Sequence, residues 1–189
     1  MVRVRAMTDD DVPAVSAIRV GGWRAAYAGI VPQSYLDAMD VEQDAAQRRR
    51  FLAGSAGRVR NLVAVEPGGG PGGPGASGAS GEEVVGWAAF GPYRGEPDDS
   101  ADGELYALYV RPDRIGTGAG RALTAAVIGE SARLGRRRLL LWVLAENTAA
   151  RRFYGRAGFT ADGAETTDQY DGVPLREVRY VRGVPTAPR

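Results

Sequence analysis

The stretch from Gly103 to Leu134 constrains this chain more than any other. An apolar run, Glu104-Leu105-Tyr106-Ala107-Leu108-Tyr109-Val110, gives way at Arg111-Pro112-Asp113-Arg114 to Ile115-Gly116-Thr117-Gly118-Ala119-Gly120-Arg121, and a helical pattern follows. Three glycines within five residues at a strand-to-helix junction let main-chain N–H groups approach an anion closely. The unpaired first amides of the helix and its positive dipole end point to the same place. The spacing therefore predicts a strand, a phosphate cradle and a helix. A G-x-G-x-x-G fingerprint counted from Gly116 fails at its sixth position, which holds Arg121, and a Walker loop would need a lysine. The chain has none: all 24 basic residues are Arg.

The missing residue types narrow the chemistry further. With neither His nor Cys, a histidine base, a thiolate nucleophile, disulfides and a His- or Cys-ligated metal are all excluded. Acid–base work must fall to Asp, Glu, Tyr, a substrate amine or water. A length of 189 residues with 44% hydrophobic content suits one domain over 1–189 with a sizeable core. A net charge of +1 gives no reason to expect nucleic acid or a membrane surface as partner. No apolar run approaches the ~20 residues of a span, and Met1-Val2-Arg3-Val4-Arg5 lacks the apolar core of a signal peptide, so the expected location is cytoplasmic.

Read in order, Val2–Met7 is a first strand, and Thr8-Asp9-Asp10-Asp11 caps a helix that Gly21-Gly22 is expected to bend or break. Helices are expected from Pro32 and over Val41–Leu52. Asn61–Val65 and Glu83–Phe90 read as the arms of a hairpin whose tip is the flexible Gly/Pro-rich segment 67–81. In the strand before the glycines, Leu105 and Ala107 share one phase and Leu108 and Val110 the other, which predicts a β-bulge at Ala107–Leu108. After the glycines, Ala119, Ala122, Leu123, Ala126, Val127 and Leu134 share a helical face that Gly135 closes. Arg138–Leu144 is a buried strand, Asn147 caps a helix with Ala150, Phe153, Tyr154 and Ala157 on one face, and strands follow from Phe159 and over Val173–Arg182, leaving 183–189 as a tail. The alternation argues an α/β (α+β) sheet with helices on its faces.

Two motifs make the pattern specific: Val-Arg-Pro-Asp with the glycine turn and Gly120-Arg121-Ala122-Leu123, then Asn147-Thr148-Ala149-Ala150-Arg151-Arg152-Phe153-Tyr154-Gly155-Arg156-Ala157-Gly158-Phe159. Together they resemble the Gcn5-related N-acetyltransferase (GNAT) superfamily over about Met1 to Arg182. The resemblance implies a mixed, mostly antiparallel sheet of about seven strands, splayed at a β-bulge, with acetyl-CoA in the opening. It further implies that the backbone of Leu108, Tyr109 and Val110 pairs with the pantetheine arm. The amides from Ile115 and Gly116 through Thr117, Gly118, Ala119 and Gly120 to Arg121 would hold the pyrophosphate. Asn147 would stand at the cofactor edge, and Tyr154 would face the sulfur and protonate the leaving thiolate. The family's turn usually opens with Gln or Arg where this chain has Ile115, with Arg114 one step earlier.

The implied reaction is direct transfer of acetyl from acetyl-CoA to a primary amine of a small-molecule acceptor, with no metal. Glu104, at the head of the bulged strand, is the candidate base, directly or through water. Trp23 and Tyr27 either pack the first helix or line the acceptor pocket. A non-catalytic acyl-CoA-binding module and a protein N-acetyltransferase are the alternatives, and the resemblance allows a homodimer.

Overall fold

A computed structural model describes residues 1–54, 57–68, 76–77, 81–95 and 101–185. In chain order the elements are β1 (Arg3–Ala6), α1 (Val12–Ala26), α2 (Gln33–Asp37), α3 (Val41–Gly54), β2 (Arg60–Pro67), β3 (Ala76–Ser77), β4 (Glu82–Pro92), β5 (Asp102–Val110), α4 (Ala119–Arg133), β6 (Arg138–Leu144), α5 (Thr148–Arg156), β7 (Thr160–Tyr170) and β8 (Val173–Gly183). The sheet runs β1-β2-β4-β5-β6-β8-β7, with the two-residue β3 beside β4. The expected hairpin of β2 and β4 forms. Most of its tip, 69–75 and 78–80, lies outside the described residues, as do 96–100 and the tail from 186.

Among the described residues every strand pair is antiparallel except β5 with β6. That pairing covers only Asp102–Glu104 against Arg138–Leu140. Beyond it β5 stays with β4 up to Val110, and β6 stays with β8 up to Leu144, so the sheet opens between them. At the closed end the carboxylate of Asp102 accepts from Arg138, and its backbone carbonyl accepts from Arg136 at 3.1 Å. The expected splay is therefore present.

The bulge sits slightly earlier than Ala107–Leu108. Ala89 pairs with Ala107 and Phe90 with Leu105, which leaves Tyr106 as the extra residue. Leu105, Leu108 and Val110 then face the core under α4, while Tyr106, Ala107 and Tyr109 face α1. Alanine is small enough to sit on either face, so Ala107 was a poor marker of phase, whereas Leu105 and Leu108 marked the slip correctly. A bulge adds local twist and bends its strand, which turns β5 away from β6 just beyond their last pair.

Layers cover both faces. Leu123 and Val127 of α4 are fully buried against Val85, Ala88, Leu139 and Leu141. Val15 and Ile18 of α1 pack on Val63, Val65, Val84 and Trp87 across the sheet. Leu134 is 42% exposed, because the helix closes there and Gly135 takes a left-handed turn at φ +71. The expected break at Gly21-Gly22 does not occur; α1 is continuous to Ala26. Gly22 serves close approach instead: a Cβ there would lie 2.9 Å from the Tyr109 ring.

Candidate active site

The opening between β5 and β6 forms a cleft of about 720 Å³. One wall is β5 from Leu105 to Val110, and its far end is the glycine turn. Helix α5 contributes Ala150, Phe153 and Tyr154, α1 contributes Gly22, and Tyr27 follows at the C-cap of α1.

The turn is built for main-chain recognition. Gly116 and Gly118 hold φ of +90 and +100, a region that costs an L-residue ~1–2 kcal/mol. Gly118 is the N-cap of α4 with no side-chain cap, and the first helical bond runs from the Ala122 N–H to the Gly118 carbonyl at 2.9 Å. The amides of Ala119, Gly120 and Arg121 therefore precede the helical ladder, which suits a pyrophosphate. A Cβ on Gly120 would come within 3.3 Å of Phe153 and 3.5 Å of Val110, so glycine lets the helix start lie against α5.

Side chains anchor this turn from behind rather than pointing into it. Arg114 lies 3.7 Å from both Glu66 and Glu83, and Arg111 binds Glu83 and Asp113. Arg114 thus does not take the place of the Gln or Arg that Ile115 replaces, and Ile115 itself is 69% exposed on the cleft rim. The side chain of Ala119 is buried in the core, so only its amide is on offer.

Among the described residues β6 pairs with no part of β5 beyond Glu104, so one backbone edge of Leu108, Tyr109 and Val110 faces the cleft. Asn147 lines the cleft and caps α5, its Oδ1 accepting the Ala150 N–H at 3.0 Å. Tyr154 lines the cleft with its ring edge-on to Phe153 and Phe159 at 5.2 and 5.8 Å. Among the described residues nothing accepts its hydroxyl proton. Burial pushes its pKa up and the nearby Tyr27 adds to this, so at neutral pH it is a proton donor. Tyr109 is also pushed well above the usual tyrosine value, first by burial and then by Tyr27.

Trp23 is not brought to the cleft. It is buried beneath Tyr27, ring centroids 4.6 Å apart, and packs against Tyr35 and Tyr170. Glu104 does not line the cleft either: it is 1% exposed, and its carboxylate accepts from the Arg94 guanidinium and, at 3.0 Å, from the Arg94 backbone N–H. Sequence reasoning missed a second carboxylate, Glu177 of β8, which pairs with Leu144 and, although it does not line the cleft, is near enough to raise the pKa of Tyr27 on the cleft wall. Burial raises the pKa of Glu177 itself, Asp168 and Glu104 raise it further, and Arg94 offsets them in part. In sequence it is one polar residue in an alternating strand, with no local signal.

A splayed mixed sheet whose opening ends in a glycine turn with main-chain amides free of helical partners suits a nucleotide-like acyl carrier. The acetyltransferase (GNAT) family matches residues 39–159. The uncharacterized N-acetyltransferase YuaI of Bacillus subtilis (strain 168) is 30% identical over 179 residues, covering 94% of this chain and 91% of that one. An N-acetyltransferase from Staphylococcus aureus Mu50 superposes with a TM-score of 0.68 at 20% identity over 98% of this chain and 99% of its own. YncA from Salmonella typhimurium, solved with acetyl-CoA, does so at 0.67 and 22% over 100% and 97%. The chain belongs to the GNAT acetyltransferase family. It is an acetyltransferase enzyme with acetyl-CoA as its cofactor. No described helix is long and apolar enough to cross a membrane.

Proposed function

We propose that this chain moves acetyl directly from acetyl-CoA to the primary amine of a small-molecule acceptor. Acetyl-CoA supplies an activated thioester carbonyl. The observation that carries the reading is one cleft with a main-chain anion cradle at one end and the unpartnered hydroxyl of Tyr154 on its wall. The edge of Leu108, Tyr109 and Val110 receives the pantetheine arm as an added strand. The amides from Gly116 to Arg121 hold the pyrophosphate, and Asn147 keeps the start of α5 at the cofactor's edge.

The amine nitrogen bonds to the acetyl carbon as the carbon–sulfur bond breaks. Tyr154 gives its proton to the departing sulfur, and the amine gives up one of its own. With no Cys, no acetyl-enzyme is needed. Holding the reactants in line supplies much of the rate, up to ~7–11 kcal/mol in favourable cases. Glu104, closed in its ion pair, positions Arg94. Glu177, which stands close enough to Tyr27 on the cleft wall for its charge to act on that hydroxyl and whose own pKa burial raises, takes the amine proton through solvent. Gly22 of α1 and Tyr27 at its C-cap wall the cleft on the side that faces the acceptor.

The test is thiol release from acetyl-CoA across an amine panel. Saturable turnover that Tyr154→Phe lowers supports the reading. Acetyl-CoA binding without turnover of any amine would make the chain an acyl-CoA-binding module. Turnover of peptide N-termini alone would make it a protein N-acetyltransferase.

A further inference from the structure

On the side of the sheet covered by α1 and α3 lies a second cavity, of about 890 Å³. Tyr106 and Ala107, the residues of the bulge, line both this cavity and the acetyl-CoA cleft. Arginine dominates its wall, although Arg94 is already committed to the buried carboxylate of Glu104. Arg19, Arg48, Arg58 and Arg94 line it, and among the described residues the only carboxylate on its wall is that of Asp44. Asp44 is shared, accepting from Arg19 at 2.6 Å and from Arg48 at 3.0 Å.

Arg48 is the centre of this wall. Its side chain is 10% exposed, and its guanidinium carbon lies 4.1 Å from the centroid of the Trp87 ring. Trp87 is fixed in turn, its indole N–H donating to Asn61 Oδ1 at 3.0 Å. Burial lowers the proton affinity of Arg48, since half a carboxylate is weak compensation for a desolvated cation. A stacked, planar fork with spare donors matches an oxyanion bidentately. Behind it the Trp87 and Tyr109 rings stack at 6.2 Å and 10°, so Arg48, Trp87 and Tyr109 form a layered series from this cavity to the cleft.

Resting on the acetyl-transfer reading above, we infer that the acceptor is a small primary amine that also carries an oxyanion, a carboxylate or a phosphate. Arg48, supported by Arg19, holds the oxyanion, and the amine extends past Tyr106 and Ala107 into the cleft. The acceptor is thus bipolar, its anionic end on the arginines and its amine toward the side of Glu177. A neutral amine of the same length leaves the spare Arg48 donors without an anionic partner and is bound more weakly.

Matched pairs test this: glycine, β-alanine and 4-aminobutyrate against their amides, and 2-aminoethyl phosphate against ethanolamine. Thiol release is followed, and each anionic amine is also titrated calorimetrically into the coenzyme A complex. The expected result is kcat/KM about 10- to 100-fold higher for the anionic member of at least one pair, the range lost with a charge-assisted hydrogen bond. Arg48→Gln should remove that preference by raising KM for the anionic member, and Arg48→Lys should keep much of it. A normal KM for acetyl-CoA in both variants verifies that they fold. The carboxylate and phosphate pairs tell the two oxyanions apart. Equal turnover of both members of every pair, equal losses for both in Arg48→Gln, or no calorimetric binding of any anionic amine overturns the inference. Anion binding without any turnover would instead count against acetyl transfer and leave the anion site standing.

Discussion

Gly22 of α1 and Tyr109 of β5 meet so closely that a Cβ on Gly22 would lie 2.9 Å from the ring's Cδ1. Tyr109 cannot retreat freely, because the Trp87 ring is stacked 6.2 Å behind it. Both Gly22 and Tyr109 line the cleft between β5 and β6. Gly22→Ala gains up to ~1 kcal/mol of helix propensity and costs ~1–3 kcal/mol in overpacking. The expected outcome is a net loss of about 1 kcal/mol by denaturant unfolding, with a raised KM for acetyl-CoA. A more stable variant with unchanged KM would mean that Tyr109 gives way without consequence.

Tyr154 offers a cleaner separation of stability from chemistry. Among the described residues its hydroxyl has no partner, so Tyr154→Phe removes no protein hydrogen bond and should leave the melting temperature nearly unchanged. As general acid its loss should lower kcat by on the order of 10²-fold, the low end of such contributions, with little change in KM for acetyl-CoA. Because burial holds its pKa above the usual tyrosine value, wild-type kcat should show no loss from tyrosine ionisation up to pH 10. A variant with wild-type kcat removes the tyrosine from the mechanism.

What was legible in the sequence was local. The glycine turn, the Asn147 cap and the strands flanking them rest on residues within a few positions of one another, and they form as read save that the β5 bulge falls at Tyr106. What was illegible depends on contacts between distant segments. Nothing near Gly21-Gly22 says that Tyr109 of β5 will lie against α1 and that glycine there serves packing rather than a kink. Arg48 and Trp87 meet only once α3 packs on α1, which itself lies against β4. The same cause hid the closure of Glu104 by Arg94, and it left packing and pocket lining both open for Trp23, whose burial follows the first of those readings.

Gly118 tests the cradle. At φ +100 it caps α4 with no side-chain help. Gly118→Ala should cost ~1–2 kcal/mol in left-handed strain and turn the amides of Ala119 and Gly120 off their common focus. KM for acetyl-CoA should rise at least about 10-fold while kcat at saturation changes little. Isothermal titration with coenzyme A checks it, and unchanged affinity would move the pyrophosphate elsewhere.

Arg94 and Glu104 form a lopsided pair, with side-chain exposures of 65% and 1%. Removing Arg94 leaves a buried carboxylate with one backbone N–H, the case in which breaking a pair costs ~3–5 kcal/mol. Arg94→Met should fall near the lower end, about 3 kcal/mol, because water reaches Arg94. Adding Glu104→Gln to Arg94→Met should recover most of the loss, a coupling that a double-mutant cycle by urea unfolding measures. Additive losses would mean that the two side chains act independently.

Glu177 links stability to catalysis through its ionisation. Burial and the charges of Asp168 and Glu104 raise its pKa above the ordinary 4.5, against the pull of Arg94. A carboxyl whose folded pKa exceeds its unfolded value holds its proton more tightly when folded, so its contribution to stability is complete below about pH 4.5 and is lost as pH rises through the folded pKa. Glu177→Gln removes that loss. The variant should therefore be more stable than wild type at pH 7, and the difference should shrink as pH falls toward 4.5. If Glu177 also takes the amine proton, the same substitution lowers kcat/KM and abolishes the acid limb of its pH profile while the protein grows more stable. Activity and stability moving in opposite directions is what a charge kept for chemistry produces. A variant that gains stability and keeps the wild-type acid limb would return Glu177 to a structural role and leave the amine to lose its proton to water.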